Sequence, residues 1–225
     1  MDRKILVSII TIDRDAYAIE KVHHAIKHLF DRENIYFLVV CRDSDIECQQ
    51  KWRNLVPKIK LITVPHYNIV KRHNMQNVCN KRNIALNYAK ENNFDYLFFI
   101  DSDIIVQKDT LEILLTGCEK YHADVCSIPY AVKWLGYIVT GVQNGHYYNY
   151  ITIDCDESQE VTYEKGGGCM GCTLIKSTVF HIPFNVQSLR IKGRIVTGED
   201  IGFFLSLVRS QFSALYVKNH KIDHL

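Results

Sequence analysis

No apolar run in this chain is long enough to cross a membrane, since a spanning helix needs about 20 such residues. Ile5 to Ile12 is also too short for a secretory core segment with its cleavage site, and Asp13-Arg14-Asp15 follows at once. No targeting segment is therefore expected. Charge of one sign is not in excess. The 27 Lys and Arg against 25 Asp and Glu leave a formal net charge of +2, which gives no reason to expect nucleic acid or a membrane surface as partner. Any attraction for anions has to be local. The eight cysteines lack the arrangement of a disulfide framework. Cys41 and Cys126 sit inside apolar runs, and Cys79 and Cys118 inside helical patterns. That distribution suits buried, reduced thiols in a soluble protein of a cytoplasmic, reducing compartment. Cys169-Met170-Gly171-Cys172 is a lone CxxC without a second pair at zinc spacing, so neither a metal nor a redox role is expected there. Internal repeats, low-complexity linkers and a domain boundary are missing too. With 47% hydrophobic and 23% charged residues, the 225-residue chain is expected to form one large α/β domain.

What is present is an alternation of strand and helix patterns. Strands are expected at Lys4 to Ile12, Ile35 to Cys41, Ile59 to Val64, Asp95 to Ile100 and Asp124 to Tyr130. Between them, Ala16 to Phe30 places Ile19, Val22 or His23, Ile26 and Phe30 on one helical face. Asp45 to Leu55 and Asn74 to Asn92 read as further helices. Asp109, with Glu112 at capping-box distance, opens another that runs to about Tyr121. This repetition predicts a doubly wound, mostly parallel sheet covered by helices on both faces. After Pro129 the texture changes. Lys133 to Val139 and His146 to Ile153 read as an antiparallel pair joined through Gly141 to Gly145. A glycine triplet, Gly166 to Gly168, permits either a bulge or close backbone approach to a ligand. Cys169 to Ile175 and Ala214 to Val217 are further strands, and Thr197-Gly198-Glu199-Asp200 opens a helix. Residues 1–130 therefore read as a nucleotide-binding half, and 131–225 as an appended antiparallel region for a second substrate.

The stretch Asp101-Ser102-Asp103 organises this reading. It follows Tyr96-Leu97-Phe98-Phe99-Ile100, an apolar run of the kind buried on both faces of a parallel sheet. Ligands of open α/β sheets bind beyond the carboxyl ends of strands. Carboxylates two residues apart in extended chain point the same way, so both can address one cation. Hard divalent ions held by one or two carboxylates complete their shell with water and substrate phosphate. The plain alternative is polar residues that merely end a strand. Arg82, four residues from both Val78 and Leu86, falls on an apolar helical stripe. It is either a snorkelling arginine or one with an anionic partner.

Four segments taken together resemble the A-type fold of nucleotide-sugar glycosyltransferases, most closely glycosyltransferase family 2. They are Ile9-Ile10-Thr11, Lys81 to Leu86, Phe99 to Asp103, and Thr197 to Asp200. The order and spacing carry the resemblance, which covers nearly the whole chain. The sequence is also similar to glycosyltransferase domains encoded by large DNA viruses. The resemblance implies a nucleotide-sugar donor, a glycan or glycoconjugate acceptor, and Mn²⁺ or Mg²⁺ as cofactor. It implies that Asp101 and Asp103 hold the ion and that Arg82 faces the donor diphosphate or orients Asp101. It places Thr11 and Asp43 beside the nucleoside, with Asp13, Arg14 and Ser102 on the same rim. Loop and cap chemistry is the alternative for these acids. In inverting members an acid such as Asp200 is the general base, with Glu199 in reserve. The T-x-x-D spacing from Thr197 equally fits a helix cap. A histidine after the last strand, here His224 with His220 as rival, is implied to complete the metal site. Trp134, Tyr147, Tyr148 and Tyr150 are the nearest aromatics to an acceptor platform.

The expected reaction is transfer from a nucleotide-diphosphate sugar, with UDP as the expected nucleotide, to an acceptor hydroxyl with inversion. Three alternatives stand beside it. A sugar-phosphate nucleotidyltransferase would carry a glycine- and basic-rich loop after strand one, and Thr11 to Ala16 contains no glycine. A non-catalytic nucleotide-sugar-binding module and a thiol-regulated domain on Cys169 and Cys172 complete the set.

Overall fold

A computed structural model describes residues 3–56, 59–65, 74–132, 136–143, 146–153, 155–168, 170–191 and 194–225. In chain order the first half holds β1 (Ile5–Ile10), α1 (Ile19–Ile26), β2 (Ile35–Arg42), α2 (Ile46–Leu55), β3 (Lys60–Val64), α3 (Asn74–Glu91), β4 (Tyr96–Asp101), β5 (Ile104–Ile105), α4 (Thr110–Glu119) and β6 (Val125–Ser127). The second half holds β7 (Ala131–Val132), β8 (Gly136–Gln143), β9 (His146–Ile153), β10 (Thr162–Gly167), β11 (Cys172–Lys176), β12 (Gln187–Ile191), β13 (Arg194–Gly198), α5 (Glu199–Arg209), β14 (Ala214–Lys218) and β15 (Asp223–His224). The main sheet runs β3-β2-β1-β4-β11-β6-β14-β10-β8-β7, with β9 on β8. Its first four strands are parallel. β11 lies antiparallel to both β4 and β6, β14 pairs parallel with β6, and β10 returns antiparallel. This is the expected α/β architecture with an antiparallel extension. Among the described residues no helix is long and apolar enough to cross a membrane.

The strands read as apolar runs because both faces are covered. On β1, Ile5, Val7 and Ile9 join a core with α1, α2 and α4, while Leu6 and Ile10 point to the opposite core with α3 and α5. β4 divides the same way, with Tyr96, Phe98 and Ile100 against one helical layer and Leu97 and Phe99 against the other. The alternation is the strand's two-residue period, and each fully buried side chain of this size contributes about 1.5–3 kcal/mol.

Two local expectations are corrected. The helix read over 16–30 is α1 alone, flanked by 3₁₀ turns at Asp13–Asp15 and Lys27–Leu29, and Val22 is the buried member of the Val22/His23 pair. The capping box at α4 does not form. Asp109 makes no side-chain cap bond, Gln107 N–H donates to Thr110 Oγ1 at 2.9 Å, and Glu112 pairs with Arg32. Before α5, where no element was expected from the sequence, β12 and β13 form a hairpin in which Ser188 lies opposite Thr197.

Asn83, in the Lys81 to Leu86 segment, ties α3 to the chain before β12. Its amide donates to Phe184 O at 2.9 Å and accepts from Phe184 N–H at 2.7 Å. α5 packs on the same segment through Gly202, where an added Cβ would overlap the Asn185 carbonyl oxygen. Alanine would gain about 1 kcal/mol in helix propensity, but backbone overlap cannot be relieved by a rotamer change. Gly202→Ala is therefore expected to destabilise by about 1–3 kcal/mol. Equal or raised stability in urea unfolding would show that the helix and this segment can separate.

Candidate active site

The carboxyl ends of β1, β2 and β4 meet at one rim, with Ile10 opposite both Val40 and Asp101. Ser102 N–H donates to Ile10 O at 3.2 Å and Asp101 N–H to Gly171 O at 2.9 Å, so the turn after β4 is held from both sides. Arg82 reaches this rim from α3. It is buried at 2% exposure, with Nη2 at 3.0 and 3.1 Å from the two Asp101 oxygens and 3.5 Å from Glu199 Oε1. Burial pulls the guanidinium pKa down, but Asp101 and Glu199 outweigh it and the net direction is upward. Its Nε and Nη1 have no partner among the described residues, and the guanidinium carbon lies 5.2 Å from the Phe99 ring centroid. Arg82 is thus a buried, ion-paired group and not a snorkelling one. The Asp101 carboxyl is raised above the usual range, by burial first and by Asp103 next, against the lowering effect of Arg82.

Asp103 faces the tail. β15 pairs antiparallel with β5, placing His224 opposite Ile104, and His224 Nε2 lies 3.2 Å from Asp103 Oδ2. Leu225 N–H also donates to Asp103 O at 3.0 Å. The rival, His220, is buried elsewhere. Its Nε2 is 3.1 Å from Thr110 Oγ1 at the start of α4, and burial pushes its pKa down. The Asp103–His224 separation suits a chelating pair. Neighbouring ligands of an octahedral ion with bonds of about 2.1 Å stand roughly 3.0 Å apart, and mixed oxygen and imidazole donors suit Mn²⁺. Among the described residues no group of three or more His, Cys, Asp or Glu converges at metal-binding distance. Any ion here would take its remaining ligands from water and substrate.

The donor side of the rim departs from a simple row of carboxylates. Asp13 Oδ1 accepts from Cys48 N–H at 3.1 Å, satisfying a donor of the first turn of α2. Thr11 Oγ1 lies 3.4 Å from Cys48 Sγ. Asp43 is exposed at the end of β2, and Arg14 is exposed beside Asp15. Two residues that sequence reasoning passed over belong here. Lys81 is fully buried; its Nζ donates to Thr11 O at 2.6 Å and lies 3.9 Å from Asp45 Oδ2. Burial pulls its pKa down to about 8 against the opposing pull of Asp45. Asp15 accepts from Ser102 Oγ at 3.0 Å, and its pKa is raised by burial and then by Asp103. A cavity of about 120 Å³ opens between Asp15, Asp101, Asp103 and Lys81. A second of about 210 Å³ beside it is lined by Arg14, Arg42 and Lys81. The buried Lys81 had no apolar-stripe signal of its own, and the Asp15–Ser102 bond depends on strand register.

Asp200 stands at the start of α5. The N-cap residue is Gly198, without a side-chain cap bond, and Thr197 Oγ1 pairs instead with Ser188 Oγ at 2.7 Å. The T-x-x-D cap therefore does not form, although Asp200 Oδ1 accepts from Ile201 N–H at 2.7 Å. Burial, then the neighbouring Glu199, lifts the Asp200 pKa to about 6. Gly198 and Gly171 both lie against site carboxylates. A Cβ at Gly171 would stand 2.8 Å from Asp101 Oδ2 and 2.8 Å from Tyr130 Oη. Cys172 is buried with its thiol pKa raised by burial, while Cys169 and Trp134 lie outside the described residues. The side chains of Tyr147, Tyr148 and Tyr150 lie outside them too.

Comparison with known proteins bears on the family and the fold. The family described as "Glycosyl transferase family 2" matches residues 7–181. No curated protein matches the sequence. Among solved structures, the crystal structure of S. aureus TarS 1-349 superposes with a TM-score of 0.54 at 15% identity, covering 97% of this chain and 59% of that one. A mannosyltransferase, PcManGT from Pyrobaculum calidifontis, solved in complex with GDP-Man and Mn²⁺, gives a TM-score of 0.56 at 13% identity, covering 99% of this chain and 56% of the other. The chain thus spans somewhat more than half the length of both, and at these identities the likeness is one of fold.

Because Thr197 does not cap α5 but pairs across the hairpin with Ser188, Thr197→Ala is expected to cost about 0.2–1 kcal/mol, the range of a cross-strand hydroxyl pair, and Ser188→Ala about the same. A loss of about 1 kcal/mol or more in chemical denaturation of Thr197→Ala, with none in Ser188→Ala, would restore the capping role.

Proposed function

The chain belongs to glycosyl transferase family 2, and we propose that it moves a sugar from a nucleotide-diphosphate donor, UDP-linked by preference, to a glycan or glycoconjugate hydroxyl with inversion. One observation carries the reading: buried Arg82 ties Asp101 of the rim to Glu199 of α5, bringing the donor-side acids and Asp200 into one constellation. The PcManGT complex with GDP-Man and Mn²⁺ supports the donor class and a divalent ion.

A divalent cation bound at this rim supplies Lewis-acid stabilisation of the departing diphosphate. Asp103 and His224 are the residues that would hold it, with Asp101 acting directly or through water. Arg82 keeps the Asp101 carboxylate fixed and adds positive charge behind it. Asp15 steadies the turn through Ser102, and Lys81 fixes the strand end at Thr11. Asp43, Thr11, Asp13 and Arg14 border the nucleoside. Asp200 accepts the proton of the acceptor hydroxyl as the new bond forms between that oxygen and the anomeric carbon. The bond from the anomeric carbon to the diphosphate oxygen breaks on the opposite side. A base with a pKa near 6 is charged at neutral pH yet basic enough to help. In this reading the chain is a single domain, with donor binding in residues 1–130 and the acceptor side in 131–225. The buried free cysteines support a reducing, cytoplasmic compartment.

Three outcomes are expected. A panel of UDP- and GDP-sugars should raise the melting temperature only with Mn²⁺ or Mg²⁺ present. The right donor at one hundred times its Kd should add about 2.7 kcal/mol, and equal stabilisation in EDTA would reject the ion's role. Asp200→Asn should lower transfer by about two to four orders of magnitude while leaving donor affinity nearly unchanged. Wild-type turnover per folded molecule by the variant would leave Asp200 a structural residue. A carboxyl whose pKa is raised by folding stabilises fully below its unfolded value, near 4, and loses that contribution as pH rises through about 6. Asp200→Asn should therefore equal or exceed wild-type melting temperature at pH 8, and transfer by the wild type should fall as pH drops through about 6. A flat rate profile between pH 5 and pH 8 would remove Asp200 as the base.

A further inference from the structure

Tyr130 has no part in the reading above, yet it stands where three site groups meet. It follows β6 and immediately precedes β7, the first strand of the antiparallel extension. Its ring meets the His224 imidazole in an edge-to-face contact, with centroids 5.1 Å apart and planes at 61°. Its hydroxyl lies against Gly171 on the side that also faces Asp101 Oδ2, so a side chain at 171 would strike both groups. The phenol is also close enough to Arg82 to act on its charge. β15 packs against β7 as well as pairing with β5.

β15 is two residues long, so its ladder bonds alone constrain the His224 ring poorly. Backbone pairing sets where Cα lies, but not which way the imidazole points. That orientation needs side-chain neighbours: Asp103 Oδ2 at 3.2 Å fixes one ring nitrogen but leaves the tilt of the ring plane about that contact open, and the Tyr130 ring packs against that plane. We propose that Tyr130 is a positioning residue, whose ring holds His224 in the orientation that presents Nε2 beside Asp103. This rests on the reading of Asp103 and His224 as ion ligands. It also gives the acceptor-side strands a mechanical link to the donor site: a shift of β7 moves the tyrosine that aims the tail histidine.

Tyr130→Phe keeps the ring, Tyr130→Leu keeps bulk without it, and Tyr130→Ala removes both. Two readouts apart from turnover apply. In EDTA-treated protein, the His224 ring protons, assigned with His224→Ala, report its packing by NMR. In metal-loaded samples, the residual aquo-ion EPR signal gives the Mn²⁺ affinity. Tyr130→Leu and Tyr130→Ala should bring the His224 resonances toward those of unstructured histidine and weaken Mn²⁺ binding about two- to tenfold, the range an aromatic pair supplies. Tyr130→Phe should keep both at wild-type values. His224 resonances and Mn²⁺ affinity unmoved in Tyr130→Leu would overturn the role. So would a loss in Tyr130→Phe equal to that in Tyr130→Leu, because the hydroxyl and not the ring would then be responsible. Absence of Mn²⁺ binding by the wild type overturns the ion reading together with this one. Unmoved His224 resonances with intact wild-type Mn²⁺ binding overturn the positioning role alone.

Discussion

A single buried guanidinium, Arg82, is the interaction on which the site depends. Leaving a charge in the interior without a partner costs several kcal/mol, so the carboxylates of Asp101 and Glu199 must stay close to it. Asp101 ends β4 and Glu199 begins α5, and these elements are nearly 100 residues apart in sequence. The ion pairs therefore join the parallel half of the sheet to the helix that follows the β12–β13 hairpin. Packing behind them, from Phe99 under the guanidinium to Phe184 stacked on Phe203, prevents α5 from drifting away. A buried pair of this kind need not add net stability over an apolar replacement. Its consequence is geometric: the acids of two distant elements are held at one rim.

How much of this could be read from residues depended on whether the signal was local. The buried strands were visible as apolar runs, and Arg82 was visible because a charge on an apolar stripe is anomalous. The Asp101–Asp103 spacing suits extended chain with its two-residue repeat, but β4 ends at Asp101 and Ser102-Asp103 form a turn before β5, so the turn and not the strand period sets where Asp103 lies. The roles of Asp13 and Asp15 were not visible. Both lie in one 3₁₀ turn of the same composition, yet Asp13 turns to the first turn of α2 while Asp15 turns to Ser102. Register and helix placement decide that difference, and neither is written in three residues. The α5 cap failed for another reason. Thr197 obeys the spacing of a capping residue, but Leu189-Arg190-Ile191 and Ile195-Val196 are short β-favouring runs either side of Lys192-Gly193. That is the pattern of a tight hairpin, and strand pairing claimed the threonine hydroxyl first.

The tail shows the limit most clearly. Two residues cannot announce a strand, so β15 carries no periodic signal. His224 could be placed beside the acids by family resemblance, but its rival His220 was equally eligible by type. The structure separates them by environment. His220 is enclosed at the α4 terminus with Thr110, while His224 meets Asp103. The same histidine chemistry becomes helix anchoring in one case and a candidate ligand in the other.

So many acids gather at this rim although, among the described residues, only Arg82 is a buried guanidinium there, and Arg14, paired with Asp15 at 3.3 Å, is exposed. Asp15, Asp101 and Asp200 all have pKa values raised by burial, and each is raised further by a neighbouring carboxylate. The sign is the same for all three: the folded state favours their protonated forms, so their ionisation at neutral pH works against folding. Proteins retain such arrangements where function requires them, at some expense in stability. Arg82 relieves Asp101 and Glu199, and Lys81 is committed to Thr11 O and Asp45. Asp103 is left with a histidine that is uncharged unless protonated. Asp15 has the exposed Arg14 at 3.3 Å, so Asp103 is the acid of the small cavity that lacks a permanently charged partner among the described ion pairs. A cation entering there meets acids already desolvated and held in place, so little of its binding energy is spent on rearranging them. The same acids, without such a cation, would repel a nucleotide diphosphate. Under the proposed function, donor and cation would therefore depend on one another at this rim.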